Sequence, residues 1–170
     1  MELRSINMTE LRDILKRMKP TKSTGTDTIN MKIIKLIEKT LEPAILNIIN
    51  TSITTNTYPD NLKIQKILPT LKSGKDETQP LSFRPINILQ SFSKIIEYAV
   101  MDQTKEHLYN NNLIPSEHSG GLKGNSTTTV AIQLIDQWAQ ILENNENVVN
   151  LQLDQTGAFE VVDHNLLLKK

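Results

Sequence analysis

Residues 63–89 read KIQKILPTLKSGKDETQPLSFRPINIL, and this stretch decides the fold class. Ile64, Ile67, Leu68 and Leu71 are strand-like, Lys72-Ser73-Gly74-Lys75-Asp76 has the composition of a hairpin tip, and Phe83-Arg84-Pro85-Ile86-Asn87-Ile88-Leu89 supplies a return arm. The reading is a basic β-hairpin. Pro69 and Pro85 have no N–H to give to a ladder, so the arms are expected at an edge or twisted apart. Outside the hairpin the apolar period is mostly helical. Leu11, Ile14, Leu15 and Met18 predict a first helix, with Thr9 as its N-cap and Pro20 as its stop. A second helix is expected over 31–41. A third restarts at Glu42-Pro43, since proline suits the first helical position, and fades in the β-branched run 51–57.

Downstream, Phe92, Ile95, Ile96, Ala99 and Val100 predict a helix ending near residues 109–112. After a glycine-rich loop, Val130, Leu134, Ile135, Trp138 and Leu142 predict another, capped by Ser126 or Thr127. Val148-Val149-Asn150-Leu151-Gln152-Leu153-Asp154 reads as a short buried strand that ends on a carboxylate. The expected class is therefore α+β and helix-rich.

Composition sets the outer bounds. The chain has 170 residues, 38% of them hydrophobic but only 4% aromatic, which supports a real but lean core and argues against both disorder and an unusually stable miniature fold. It has no cysteine, so disulfide frameworks, thiolate metal sites and cysteine nucleophiles are excluded. No apolar run approaches the ~18 residues that span a bilayer, and MELRSINMTELRD lacks the apolar region of a secretory leader. An intracellular protein, in cytoplasm or nucleus, with no membrane partner is expected. Formal charge is zero, but residues 1–75 hold 13 Lys or Arg against 7 Asp or Glu, while residues 76–170 hold 6 against 12. One half suits a polyanion and the other a cationic metal; the alternative is chance together with solvated helix faces.

Individual residues carry weak signals. Asp154 at a strand end is how many α/β enzymes fix a carboxylate for a divalent cation, and it is equally a solvated aspartate. Lys72, Lys75 and Arg84 are placed to converge on phosphate oxygens, or form a solubilising charged turn. Asp163 and His164 are surface polar residues or a helix cap before Leu166-Leu167-Leu168. His107 and His118 have no partner at metal-ligand spacing, and the loop 120–127 lacks P-loop spacing.

The order of the segments carries more. Lys22-Ser23-Thr24-Gly25-Thr26-Asp27-Thr28-Ile29 resembles the KAPGPDGI segment of reverse transcriptases of jockey-like non-LTR retrotransposons. Tyr58-Pro59-Asp60 through Pro69 is similar to their FPDxWKxAKVVPI stretch. Phe83-Arg84-Pro85-Ile86-Asn87-Ile88-Leu89 with Ser93-Lys94-Ile95-Ile96-Glu97 is similar to YRPISLL…SKIFE. Leu113-Ile114-Pro115-Ser116-Glu117-His118 and Gly124-Asn125-Ser126-Thr127-Thr128 resemble LLSDxQFGFRPGRSTT. Leu153 through His164, LDQTGAFEVVDH, resembles LDLSKAFDTVDH. Five blocks stand in the family's order along nearly the whole chain.

The resemblance implies a part of the polymerase right hand, with 1–150 as the fingers region and 151–170 as the start of the palm. It implies RNA-directed DNA synthesis on an RNA template and DNA primer, from dNTPs, with two Mg²⁺ ions in the complete enzyme. Asp154 would be a catalytic, metal-binding carboxylate, with the backbone carbonyl of Gln155 as a further ligand. Arg84 and Lys72 would contact the triphosphate. Phe159 would lie beneath the incoming sugar and select deoxynucleotides; the alternative is a core phenylalanine next to Ala158. Three positions depart from the family: Gly120-Gly121-Leu122 stands for GFR, Glu160 for the second aspartate of AFD, and Gly157 for the usual lysine. The second metal-binding block, an Asp-Asp pair, has no counterpart in the 170 residues. This polypeptide alone is therefore expected to have no polymerase activity, and the competing reading is a truncated, non-catalytic retrotransposon remnant with weak or no nucleic-acid binding.

Overall fold

A computed structural model of the chain describes residues 1–154 and 161–169. It divides into two compact units, 1–114 and 115–170. The first holds α1 (Met8–Arg17), α2 (Met31–Leu36), α3 (Glu38–Thr54), the strands β1 (Lys66–Leu71) and β2 (Phe83–Ile88), and α4 (Ser91–Asn110). The second holds α5 (Thr127–Glu143) and α6 (His164–Lys169). The class is helix-rich α+β, as the sequence predicts. No helix among the described residues is long and apolar enough to cross a membrane.

Helix α1 is capped by Asn7, not by Thr9. The Asn7 side chain accepts from the Glu10 N–H at 3.0 Å, and Glu10 returns the bond by accepting from the Asn7 N–H at 2.8 Å. This reciprocal box satisfies two N–H groups that the first turn would otherwise leave open, an advantage Thr9 inside the turn does not have. The apolar stripe of α1 then packs on α3 and α4. Leu11 and Leu15 of α1, Ile34 of α2, Ile49 of α3 and Ile95 of α4 are each 1% exposed or less. Burying an aliphatic side chain of this size contributes roughly 1.5–3 kcal/mol. These residues are the centre of the molecule's one described core.

The boundary between the second and third helices differs from expectation. The break falls at Ile37, whose φ of −119° and ψ of 17° lie outside the helical basin, and α3 runs from Glu38 straight through Pro43. Pro43 lacks the N–H that would reach Lys39, so the helix loses one bond in its second turn, a cost its packing outweighs. Residues before α1 are strapped across the helices by two amides. Asn50 accepts from the Ile6 N–H at 2.8 Å and donates to its carbonyl at 3.0 Å; Gln103 does the same for Arg4, at 2.8 and 2.9 Å.

The hairpin forms where the sequence places it. β1 and β2 are antiparallel, with Lys66 opposite Ile88, Thr70 opposite Arg84, and Pro69 opposite Pro85. Two residues without N–H groups can face one another only at a non-hydrogen-bonded site, so the missing donors point away from the ladder, one at each outer edge. The sheet has two strands and both are edges, as the prolines require.

In the second unit, Ser126 caps α5 through a reciprocal box with Thr129. Asp163 caps α6 by accepting from the N–H groups of Asn165 and Leu166 at 2.8 and 3.2 Å. The expected buried strand over 148–154 is not formed. Among the described residues no strand lies beside it to pair its backbone, and Leu151 and Leu153 are 79% and 86% exposed. No described residue of this unit is buried.

Candidate functional site

The hairpin brings two predicted residues to one end. Arg84 lies on β2 opposite Thr70. Two steps further out, the Lys72 N–H donates to the Ser82 carbonyl at 2.8 Å, so positions 70, 72, 82 and 84 fall on one face by the two-residue alternation of strands. Arg84 is exposed and makes no ion pair or side-chain hydrogen bond among the described residues. A guanidinium on a strand, with its planar fork open to solvent, has the geometry to accept paired oxygens of an anion.

Lys72 has a second task. Its ammonium donates to the Leu81 carbonyl at 2.8 Å and so staples the tip loop to its own return. The rest of the tip is locally built. Gly74 has a φ of +70°, which the turn requires and a side chain would strain. Asp76 accepts from the N–H and hydroxyl of Thr78 at 2.9 and 2.8 Å, which holds its carboxyl below the ordinary 3.8. The acid next to Lys75 is therefore ionised but already hydrogen-bonded within the loop.

Asp154 is exposed, in an irregular segment of the second unit, rather than at the end of a strand. Gln155 and Phe159 lie outside the described residues. Among the described residues no group of three or more His, Asp or Glu side chains is placed to hold a metal ion. One exposed carboxylate falls short of the several oxygen ligands that Mg²⁺ demands, so these residues do not by themselves make a metal centre. The charge division follows the two units: residues 1–114 carry 16 Lys or Arg against 12 Asp or Glu, and residues 115–170 carry 3 against 7.

Sequence reasoning passed over the root of the hairpin. Gln90, buried at the entry to α4, donates to the Thr26 hydroxyl and to the Asn61 carbonyl, both at 2.9 Å. Ser91 donates to the Ile29 carbonyl at 3.1 Å and Ser93 to the Leu62 carbonyl at 2.7 Å. The only signal was three polar side chains placed before an apolar helical face.

No protein-family model matches the chain. It is 26% identical, over 168 residues, to the probable RNA-directed DNA polymerase from transposon BS of Drosophila melanogaster, covering 99% of this chain and 18% of that protein. It is 25% identical over 155 residues to the probable RNA-directed DNA polymerase from transposon X-element of the same organism, covering 91% of this chain and 17% of that protein. To the RNA-directed DNA polymerase from mobile element jockey it is 24% identical over 168 residues, again 99% of this chain and 18% of the relative. The resemblance drawn from the five ordered blocks is thus borne out: this chain is similar to the polymerases of jockey-like non-LTR retrotransposons. It spans about a fifth of the length of these relatives.

Proposed function

We propose that this chain is the fingers region, residues 1–150, and the start of the palm, residues 151–170, of a reverse transcriptase of a jockey-like retrotransposon. In this reading it works inside the cell, in cytoplasm or nucleus, on an RNA template and a DNA primer. Arg84 binds phosphate of the incoming dNTP, and Lys72 both shapes the tip and adds positive potential beside it. The observation that carries the reading is the guanidinium of Arg84, unpaired among the described residues, in a sequence block similar to those polymerases, toward the open end of the hairpin. Asp154 would give one carboxylate toward Mg²⁺, with Gln155 beside it and Phe159 beneath the sugar. Since the described residues do not complete a metal centre, no chemical step is assigned to this chain alone.

The test is binding of a primer–template duplex by the full chain at two salt concentrations. Affinity falls as salt rises, because phosphate contacts release counterions. Binding of a dNTP to that primer–template complex is weakened by Arg84→Ala by about tenfold or more, as expected for loss of one charge-assisted contact of roughly 1.5–3 kcal/mol. A folded sample that shows no affinity at low salt overturns this reading. That outcome favours the second one, a non-catalytic remnant, which the exposed Asp154 on an unpaired segment supports.

A further inference from the structure

We infer that Gly25 and Gln90 form a latch at the root of the hairpin that sets the direction in which it projects, and that both are positioning residues for Arg84. None of the residues of β1 or β2 is buried, and most are exposed, so packing along the hairpin does not fix its bearing. The bearing is set where the chain leaves the helical body, at Asn61 and Leu62, and where it returns, at Gln90. Gln90 joins these two points, because its amide donates to the Asn61 carbonyl; Ser93 adds the bond to Leu62.

The same amide reaches Thr26, and this ties the hairpin root to the loop 24–30. That loop is itself rigid. Thr24 and Asn30 form an isolated antiparallel bridge, Asp27 accepts from the Ile29 N–H at 3.1 Å, and Asn30 caps α2. Gly25 is buried against Gln90 so closely that a Cβ on it would stand 2.8 Å from both the Cα and the backbone N of Gln90. Backbone atoms cannot move aside as the end of a side chain can. Any larger residue at position 25 must therefore push the loop and the hairpin root apart. A glycine embedded in one sequence block and a glutamine beyond another thus meet across 65 positions, and their contact decides where Arg84 points.

The inference rests on the proposed role of Arg84 for its functional consequence, but the bearing is measurable without it. The chain contains no cysteine, so Ser73→Cys at the tip and Lys105→Cys on the exposed side of α4 give a clean pair of spin-label sites. Pulsed dipolar spectroscopy of the full chain is expected to give one narrow distance distribution. Gly25→Ala shifts or broadens it beyond the parent's width, and so does Gln90→Ala, which removes both amide bonds and adds no bulk. Gln90→Ala keeps the test decisive where Gly25→Ala does not fold. Folded variants with an unchanged distribution and only a lower melting temperature overturn the latch, since a merely stabilising contact would behave in that way. Binding of a dNTP to the primer–template complex supplies the second arm. Loss of affinity comparable to that of Arg84→Ala, with no further loss in the Gly25→Ala/Arg84→Ala double variant, supports positioning of Arg84. A shifted distribution with unchanged binding leaves the latch standing and rejects the role of Arg84.

Discussion

Glu10 shows how one side chain serves two ends. It closes the cap of α1 and pairs with Arg4, and the Arg4 bond followed by the Asn7 N–H holds its carboxyl below the ordinary 4.5. The folded state therefore gains stability wherever an unfolded glutamate is already ionised, above about pH 4.5, and loses that gain as pH falls through the depressed value. Glu10→Gln is expected to lower the melting temperature slightly at pH 7, in keeping with exposed pairs that contribute under about 1 kcal/mol. Thermal melts across the acid range should show the difference closing. Arg12 and Glu42 form a tighter pair. Both Nε and a terminal nitrogen of Arg12 donate to one Glu42 oxygen, at 3.0 and 2.8 Å, and the Glu42 side chain is only 8% exposed. Arg12→Met leaves that carboxylate buried without a cation, at a cost on the order of 1–3 kcal/mol. Chemical denaturation of the Arg12→Met/Glu42→Gln double variant should recover part of the loss, the sign of direct coupling.

At the level of elements, helix α5 has a reciprocal cap at its N-terminus, Ser126 with Thr129, but no buried residue along its described length. Its hydrogen bonds rest on local propensity, and a helix without a packed face opens readily. Amide exchange is expected to run at least about tenfold faster in α5 than in α1 or α4, whose inner faces lie in the core. Comparable protection in all three helices would contradict this. The same distinction explains what the sequence could reveal. Helices α1, α4 and α5 and the hairpin announce themselves through local apolar spacing and turn residues. The α2–α3 boundary does not, because Pro43 looks like a start and only the packed structure shows the helix running through it. Residues 148–154 have a strand's composition, but a strand exists only beside another. The place of Arg84 on the return arm of the hairpin is legible from its motif. The Gln90–Gly25 contact was not, since no local pattern records an approach between segments so far apart in the chain.

Over the whole molecule, the two units differ in kind. Among the described residues every buried apolar side chain belongs to residues 6–99, and the boundary at Ile114 is followed by a glycine-rich, largely exposed stretch. Limited proteolysis is expected to cut first between residues 115 and 126 and to leave a product close to 1–114 with most of its helical circular dichroism. Cleavage inside α3 or α4 before that loop would count against the division. A hairpin with two bare edges and exposed Ile67, Leu68 and Ile86 also invites self-association, since either edge is a template for a foreign strand. The facing prolines counter this. With Pro69 and Pro85 each withholding an outward donor at mid-strand, an incoming chain finds its register interrupted on both flanks. The pair thus works against fibril-like stacking of an apolar, solvent-facing arm.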